Sequence, residues 1–545
     1  MVPTRIFQWL KLIALATIVA LLTSQLHAPV AISQAKPAIA DLGFRPEANG
    51  FSFENYGNEG GIKNLTSADM QRMFGNQVCA TEGEDCILTP PAEQWMEQTN
   101  KGMDGGHCEG MAALSLILYA DQSRVGDLGG NVPNLALQGN EKLQREIAYW
   151  FATQAVSPTV SNEIKDKTPA ELLDLLLESL KPGAAQTYTM GIYQPGFKGG
   201  HAITPYAVVD EGDGKYDVLI YDNNHPKMER RVEIDRTANT WKYVASTKPG
   251  EAESEYQGDA TTKTLTLTPT PPRYQQQVCD FCGAAETASG ETEGAIARNK
   301  ALAQGKFNQI FLEGDADLLI RNGSNKIGYE NGNLVNTFPG ATFIPQKSGE
   351  LWKDDEEPIY NIPVGVPFTM TLQSSSETEG QEATDVVMIG PGYDLGISGI
   401  TVAPGQQDAI AFTPDGKGLS YTPSSSEAPN LLFGISTAKD DYEFELDGIE
   451  IDAGGTIAAA LETTKGQLSI KVTGSKQEAA FNLALSRIDD KTEQEFTGEG
   501  LSLKSGDTLL IDYAAWTGNG AKLTLELDAG SDGKIDDTVT LDDKK

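Results

Sequence analysis

The block Met111-Ala112-Ala113-Leu114-Ser115-Leu116-Ile117-Leu118-Tyr119 is apolar on nearly every side, and it constrains the chain more than any other segment. A helix of this composition has no face to offer to water, so it must run through the middle of a domain with other elements packed around it. Turn-forming Asp104-Gly105-Gly106 leads into it, and Cys108 and Gly110 stand where the loop becomes helix. Residues 141–155 read as an amphipathic helix. Thr168-Pro169-Ala170-Glu171 supplies an N-cap, a first-turn proline and a capping-box glutamate for the leucine-rich helix that Pro182-Gly183 stops.

After Gly199-Gly200 the hydrophobic period changes from helical to alternating. Residues 201–209 and 216–221 read as two strands joined through Asp210-Glu211-Gly212-Asp213-Gly214-Lys215, a hairpin. Residues 261–272 (TTKTLTLTPTPP) read as an extended linker with little core potential. Beyond about residue 300, short alternating strands recur between turn signals, for example at 317–320, 368–372 and 468–472. That pattern suits β-sandwich modules, and no repeat is regular enough for a solenoid or propeller. A chain of 545 residues exceeds one core. The expected division is a leader at 1–40, an α+β domain at 41–260, a linker at 261–300 carrying Cys279 and Cys282, a β-rich module at 301–425 and a β-sandwich-like module at 426–545.

The N-terminus has the composition of a signal peptide. Arg5 and Lys11 precede an apolar run, 12–22, that is short for a membrane span, and Ser33-Gln34-Ala35 and Ala38-Ile39-Ala40 are small-residue cleavage patterns. The expectation is a periplasmic or secreted protein with no membrane span in the mature chain. Removal of 1–40 takes away Arg5, Lys11 and Lys36 and moves the formal charge from −35 to −38. Such a surface repels nucleic acid, and no Gly-rich phosphate loop or basic aromatic patch offsets it.

Of five cysteines, Cys79 with Cys86 and Cys279 with Cys282 form two local clusters, while Cys108 stands alone. In an oxidising compartment the four are disulfide candidates, in any of three pairings. Cys108 calls for a different role. A nucleophilic cysteine acts as thiolate, and a helix N-terminus favours that form while presenting backbone N–H groups where an oxyanion develops. A general base must then reach the sulfur, and a third group must orient the base. His107 adjoins the cysteine and points elsewhere. His201 starts a strand directly after two glycines, where another backbone can approach closely. In the hairpin, the position opposite His201 falls at roughly residues 222–224. That is Asp222-Asn223-Asn224, and the register leaves the choice among them open.

Gly106-His107-Cys108-Glu109-Gly110-Met111-Ala112 resembles the nucleophile segment of papain-like cysteine peptidases and related transglutaminase-like proteins. Gly200-His201-Ala202 and Tyr221-Asp222-Asn223-Asn224 resemble their His and Asp/Asn segments, in the same chain order, and the resemblance covers roughly residues 95–230. It implies a papain-like fold for the N-terminal domain. It also implies Cys108 as nucleophile, His201 as general base and acid, and Asp222 as orienter, with Asn223 or Asn224 as substitutes. Papain-like enzymes carry an oxyanion glutamine where this chain has Gly102; Gln94 and Gln98 lie farther upstream, and either one of them, with Gln98 the named candidate, reaches the site by a different loop, or oxyanion stabilisation is weaker.

Cys279-Asp280-Phe281-Cys282 has the spacing of a redox or zinc pair, but further metal ligands are not nearby in sequence, so a structural disulfide is expected. Residues 528–536 partly fit a calcium loop through Asp528, Asp532 and Asp536, although Gly530 and Val539 break the pattern, so a plain acidic turn is the leading expectation and calcium the minor one. The chain is thus expected to be an α+β, papain-like cysteine hydrolase of peptide or amide bonds, or an acyltransferase, requiring no cofactor. All-β C-terminal modules would serve attachment or recognition of a cell-surface or matrix partner. The competing expectation is a catalytically silent extracytoplasmic binding protein built from the same parts.

Overall fold

In the computed structural model the described residues are 36–81, 86–245, 255–283, 306–349, 357–374, 383–437, 439–476 and 478–543. Nearly all of the expected leader therefore lies outside the described residues. Among the described residues no helix is long and apolar enough to cross a membrane.

The helical part comprises α1 (Ser67–Phe74), α2 (Pro90–Lys101), α3 (Cys108–Ala120), α4 (Glu141–Ala152) and α5 (Pro169–Ser179). α3 carries the apolar block, and every residue from Cys108 to Leu118 is buried. Its surroundings explain its composition. Met111, Leu114 and Ile117 join a core built with α1, α2 and α4, whereas Leu116 joins the core beneath the sheet. α5 starts as its sequence dictates, with Pro169 in the first turn and Thr168 and Glu171 closing a reciprocal capping box.

The sheet beside α3 is antiparallel, in the order β7-β6-β5-β4-β3-β2-β8, and β1 (Ala38–Asp41) pairs with β3 off this path. Its strands are β2 (Tyr188–Ile192), β3 (His201–Gly212), β4 (Lys215–Tyr221), β5 (Arg230–Asp235), β6 (Thr240–Val244), β7 (Glu255–Asp259) and β8 (Leu265–Pro269). The expected hairpin is β3–β4, with Asp213 and Gly214 both at positive φ as a tight primed turn requires. β3 and β2 are buried from end to end of their pairing, because helices α3 and α5 both pack on β3.

The expected linker at 261–300 is corrected over its first part. Leu265–Pro269 is strand β8, paired with β2 through Met190↔Leu267, and Leu265 and Leu267 are buried. The alternating Thr-Leu pattern is that of a strand, and the prolines that suggest a linker fall at its end, where no ladder hydrogen bond is lost. Arg273, just beyond, is also buried. Cys79–Cys86 and Cys279–Cys282 are both disulfide-bonded, the local pairing.

The C-terminal part is all β, with an eleven-stranded and a nine-stranded antiparallel sheet arranged as a sandwich around one continuous core. The expected boundary at 425/426 does not divide it. Gly418–Thr422 pairs with Thr456–Glu462 in one sheet, and Tyr393–Ile400 with Asn430–Ser436 in the other, so both sheets run through the boundary. Nor is this part tethered at a distance. Phe311, Ile344, Ile359, Val387 and Ile389 share a core with Phe74, Trp95 and Phe281, and the Trp95 indole donates to Gln309 at 3.0 Å.

Leu267→Ala separates a core strand from a linker. Removing a fully buried leucine side chain from the sheet costs about 2–5 kcal/mol, whereas the same change in a solvated linker costs almost nothing. Urea denaturation of the purified chain is expected to give the larger figure.

Candidate functional site

Three backbone features bring the sequence-derived residues together. Cys108 is the first residue of α3, His201 the first of β3, and Asp222 immediately follows β4. All three are buried. The Cys108 sulfur accepts the Ala202 backbone N–H at 3.1 Å, which places the thiol directly beside the start of β3. Asn223 completes this joint by donating to the carbonyls of Cys108 and Ala202, each at 3.0 Å.

Of Asp222, Asn223 and Asn224, Asp222 is the one whose side chain meets the imidazole. His201 Nε2 lies 2.8 Å from Asp222 Oδ1. The same carboxylate accepts the Asn224 backbone N–H at 2.9 Å and the Tyr243 hydroxyl. Burial alone would raise the Asp222 carboxyl, but His201 and the Tyr243 hydroxyl hold it well below the usual carboxylate range. Burial and the Asp222 charge push the Tyr243 hydroxyl well above its ordinary value, so it remains a proton donor. With Nε2 committed to a carboxylate, the imidazole is fixed in the tautomer and orientation that turn Nδ1 away from Asp222. Nδ1 is buried and has no hydrogen-bond partner among the described residues.

Against Cys108 and His201 packs a segment from the β-rich part, Gln346-Lys347-Ser348-Gly349. A Cβ built on Gly349 would fall 2.7 Å from His201 Nδ1 and 2.9 Å from the Cys108 Cβ, so both groups crowd one point that only a glycine can occupy. The Ser348 carbonyl oxygen accepts from the Cys108 backbone N–H at 3.3 Å and from the Asn55 side-chain amide at 3.0 Å. The Cys108 thiol donates to the Lys347 carbonyl at 3.2 Å. Gly349 N–H donates to the Gly200 carbonyl at 3.0 Å, and Asn224 donates to the Gly349 carbonyl at 3.1 Å. The close backbone approach expected beside Gly199-Gly200 is this segment: a Cβ on Gly200 would collide with the Gln346 carbonyl oxygen.

Lys347 enters a buried acidic pocket. Its Nζ is 2.9 Å from Glu163, 3.9 Å from Glu109 and 3.2 Å from the Thr268 hydroxyl, and its backbone N–H donates to Gln154 at 3.0 Å. Burial opposes its charge, yet Glu109 and Glu163 hold the ammonium above its ordinary value. Burial likewise opposes the Glu163 charge, and Lys347 still keeps that carboxyl below its own. Arg273 pairs with Glu109 from the other side and reaches Thr153 at 2.6 Å and Thr189 at 3.1 Å.

The second donor to the Ser348 carbonyl is Asn55, not Gln98. Gln98 is buried on α2, and its amide nitrogen has no partner among the described residues. Asn55 is held in place by its own side-chain oxygen, which accepts the His107 N–H at 2.7 Å and leaves the amide facing Ser348. It lies in an irregular stretch far upstream of Cys108, where no spacing signals it. His107 does point away, stacked on Tyr56 at 4.2 Å with its ring nitrogens on Tyr56 O and Asn64, and burial lowers it to about 4. Asp528 ends the strand Leu523–Asp528, and Asp536 lies in the turn that leads to Asp537–Leu541. Asp528 accepts the N–H groups of Asp532 and Gly533, Asp536 that of Ala529, and Asp532 pairs with Lys534. Among the described residues, no group of three or more metal-ligating side chains is gathered at one place.

No family model, no curated protein and no solved structure matches this chain. The depressed Asp222 carboxyl carries a pH signature. A group whose folded value lies below its unfolded value of about 4 stabilises the fold fully above that value, and the contribution fades as pH falls towards the folded value. Asp222→Asn is expected to be about 1–3 kcal/mol less stable than wild type at pH 7. The gap should close on acidification below the ordinary carboxylate range, as measured by urea denaturation across pH.

Proposed function

We propose that this chain is a papain-like cysteine hydrolase of peptide bonds that works outside the cytoplasm. The observation that carries the reading is the convergence of two donors, the Cys108 backbone N–H and the Asn55 amide, on one peptide carbonyl oxygen beside a thiol and a histidine nitrogen. Two N–H groups at one end of a helix, aimed at an acyl oxygen, are what a tetrahedral oxyanion requires. In this reading His201 Nδ1 takes the Cys108 proton, the thiolate attacks the carbonyl carbon, and the oxyanion is held by Cys108 N–H and Asn55. His201 then returns the proton to the departing amine, and water hydrolyses the thioester. Asp222 holds the imidazole in the competent tautomer and stabilises the imidazolium, and Tyr243 holds Asp222. The two disulfides fit an oxidising compartment, in keeping with export.

The test uses Gly349→Val, because the added methyl groups leave no room between Cys108 and His201 and displace the segment that fills the site. In that background, hydrolysis of labelled casein is expected, and His201→Ala or Cys108→Ala should abolish it. Asn55→Ala should lower kcat about 10²–10³-fold with a much smaller change in KM. Casein left whole by a folded Gly349→Val protein would sink the hydrolase reading in favour of a binding protein.

A further inference from the structure

The segment at the site belongs to the chain itself, and its path is unusual. Thr342–Ile344 and Ile359–Pro363 are neighbouring antiparallel strands, paired through Ile344↔Ile359. Two to five residues suffice to join such strands, yet residues 346–349 of this connection lie away from the sheet, between the start of α3 and that of β3, and Lys347, Ser348 and Gly349 are buried there. Lys347 and Ser348 are 2% and 1% exposed. Six groups hold it: Gln154 and Gly200 on its backbone, Cys108 N–H and Asn55 on one carbonyl, Asn224 on the next, and the Glu109/Glu163 pocket on Lys347.

We infer that the Ser348–Gly349 peptide bond is the enzyme's own first substrate, cleaved within the chain by Cys108. The Glu109/Glu163 pocket selects a lysine one residue before the acyl donor. The inference rests on the hydrolase reading above and names its substrate. The Cys108 thiolate adds to the Ser348 carbonyl carbon while the oxyanion sits between Cys108 N–H and Asn55. The C–N bond to Gly349 breaks, and the proton taken by His201 passes to the Gly349 nitrogen. Water then adds to the Cys108–Ser348 thioester, with His201 taking its proton and returning it to sulfur. One water is consumed and no oxidant or reductant is needed. The products are a chain ending in the Ser348 carboxylate and a chain beginning with the Gly349 amine. Because the strands on both sides of the cut are paired in one sheet, the two chains remain associated, and the freed ends can leave the cleft to further substrates containing lysine.

The experiment follows purified full-length protein at neutral pH by intact mass and N-terminal sequencing. The expected result is a new N-terminus at Gly349, formed at a rate independent of protein concentration, with both pieces coeluting in gel filtration and separating only in denaturant. Cys108→Ala stays whole. Lys347→Arg still cleaves, whereas Lys347→Glu, which sets a third carboxylate against Glu109 and Glu163, slows cleavage by about 100-fold or more. Wild type that stays whole while Gly349→Val hydrolyses casein overturns self-cleavage and leaves the hydrolase reading standing. So does cleavage at another bond, or at a rate that rises with protein concentration. A wild type that stays whole together with a folded but inert Gly349→Val overturns both.

Discussion

The structure turns on the Glu109 carboxylate. It lies on the first turn of α3, directly after the cysteine, fully buried between Arg273 and Lys347. A carboxylate so placed is strongly destabilising unless matched, because burial strips it of water. The match comes from two distant parts of the chain: Arg273, carried in by β8, and Lys347, carried in from the sandwich. Glu163 supplies the remaining negative charge, so two carboxylates face two cations in a closed site. The helix bearing Cys108 is thereby fixed to the sheet bearing His201 and to the segment that fills the cleft. No one of these pieces can be removed without stranding a buried charge.

The chemistry inherits this rigidity. His201 has one nitrogen on a carboxylate that stays ionised at neutral pH and the other turned into the cleft without a described partner. A single-tautomer imidazole holds its second nitrogen in one place, whereas a mobile one would divide its time between orientations. Asn223, expected as a substitute for the orienting group, instead ties the carbonyls of Cys108 and Ala202 together and so sets the spacing of thiol and histidine. Asn224 touches the segment in the cleft. The three consecutive polar residues each serve a different end of the same site.

Much of this is legible in the sequence because it is local. The apolar block after Cys108 dictates a central helix, the Gly-Gly before His201 marks a close backbone approach, and the Asp-Gly turn sets a hairpin that delivers Asp222 to the imidazole. What escapes is non-local. Asn55 sits in an irregular stretch with no period, and only the tertiary fold brings it to the helix end. β8 reads as linker because its prolines outweigh its Thr-Leu alternation. The boundary at 425/426 follows turn composition, but hydrogen bonding between strands ignores turn composition and carries both sheets across it. Lys347 and Gly349 look like any solvated turn, since a sequence shows what a loop is made of and not where it docks.

That docking ties the all-β part to the rest of the chain. Expected as attachment modules, it shares a core with α2 through Phe311, Val387 and Ile389 and sets residues 346–349 against Cys108 and Gly200. A merely appended module would bury a polar seam with bridging water, as transient domain interfaces do. Here the shared seam is aromatic and aliphatic, with Trp95, Phe74 and Phe281 in mutual contact at its centre. Such packing holds the strands around Ile344 and Ile359 in place whether or not the connection between them is continuous. The connection can therefore be spent as a substrate without loss of the scaffold, which is the condition a chain must meet if it is to cut itself and still stand.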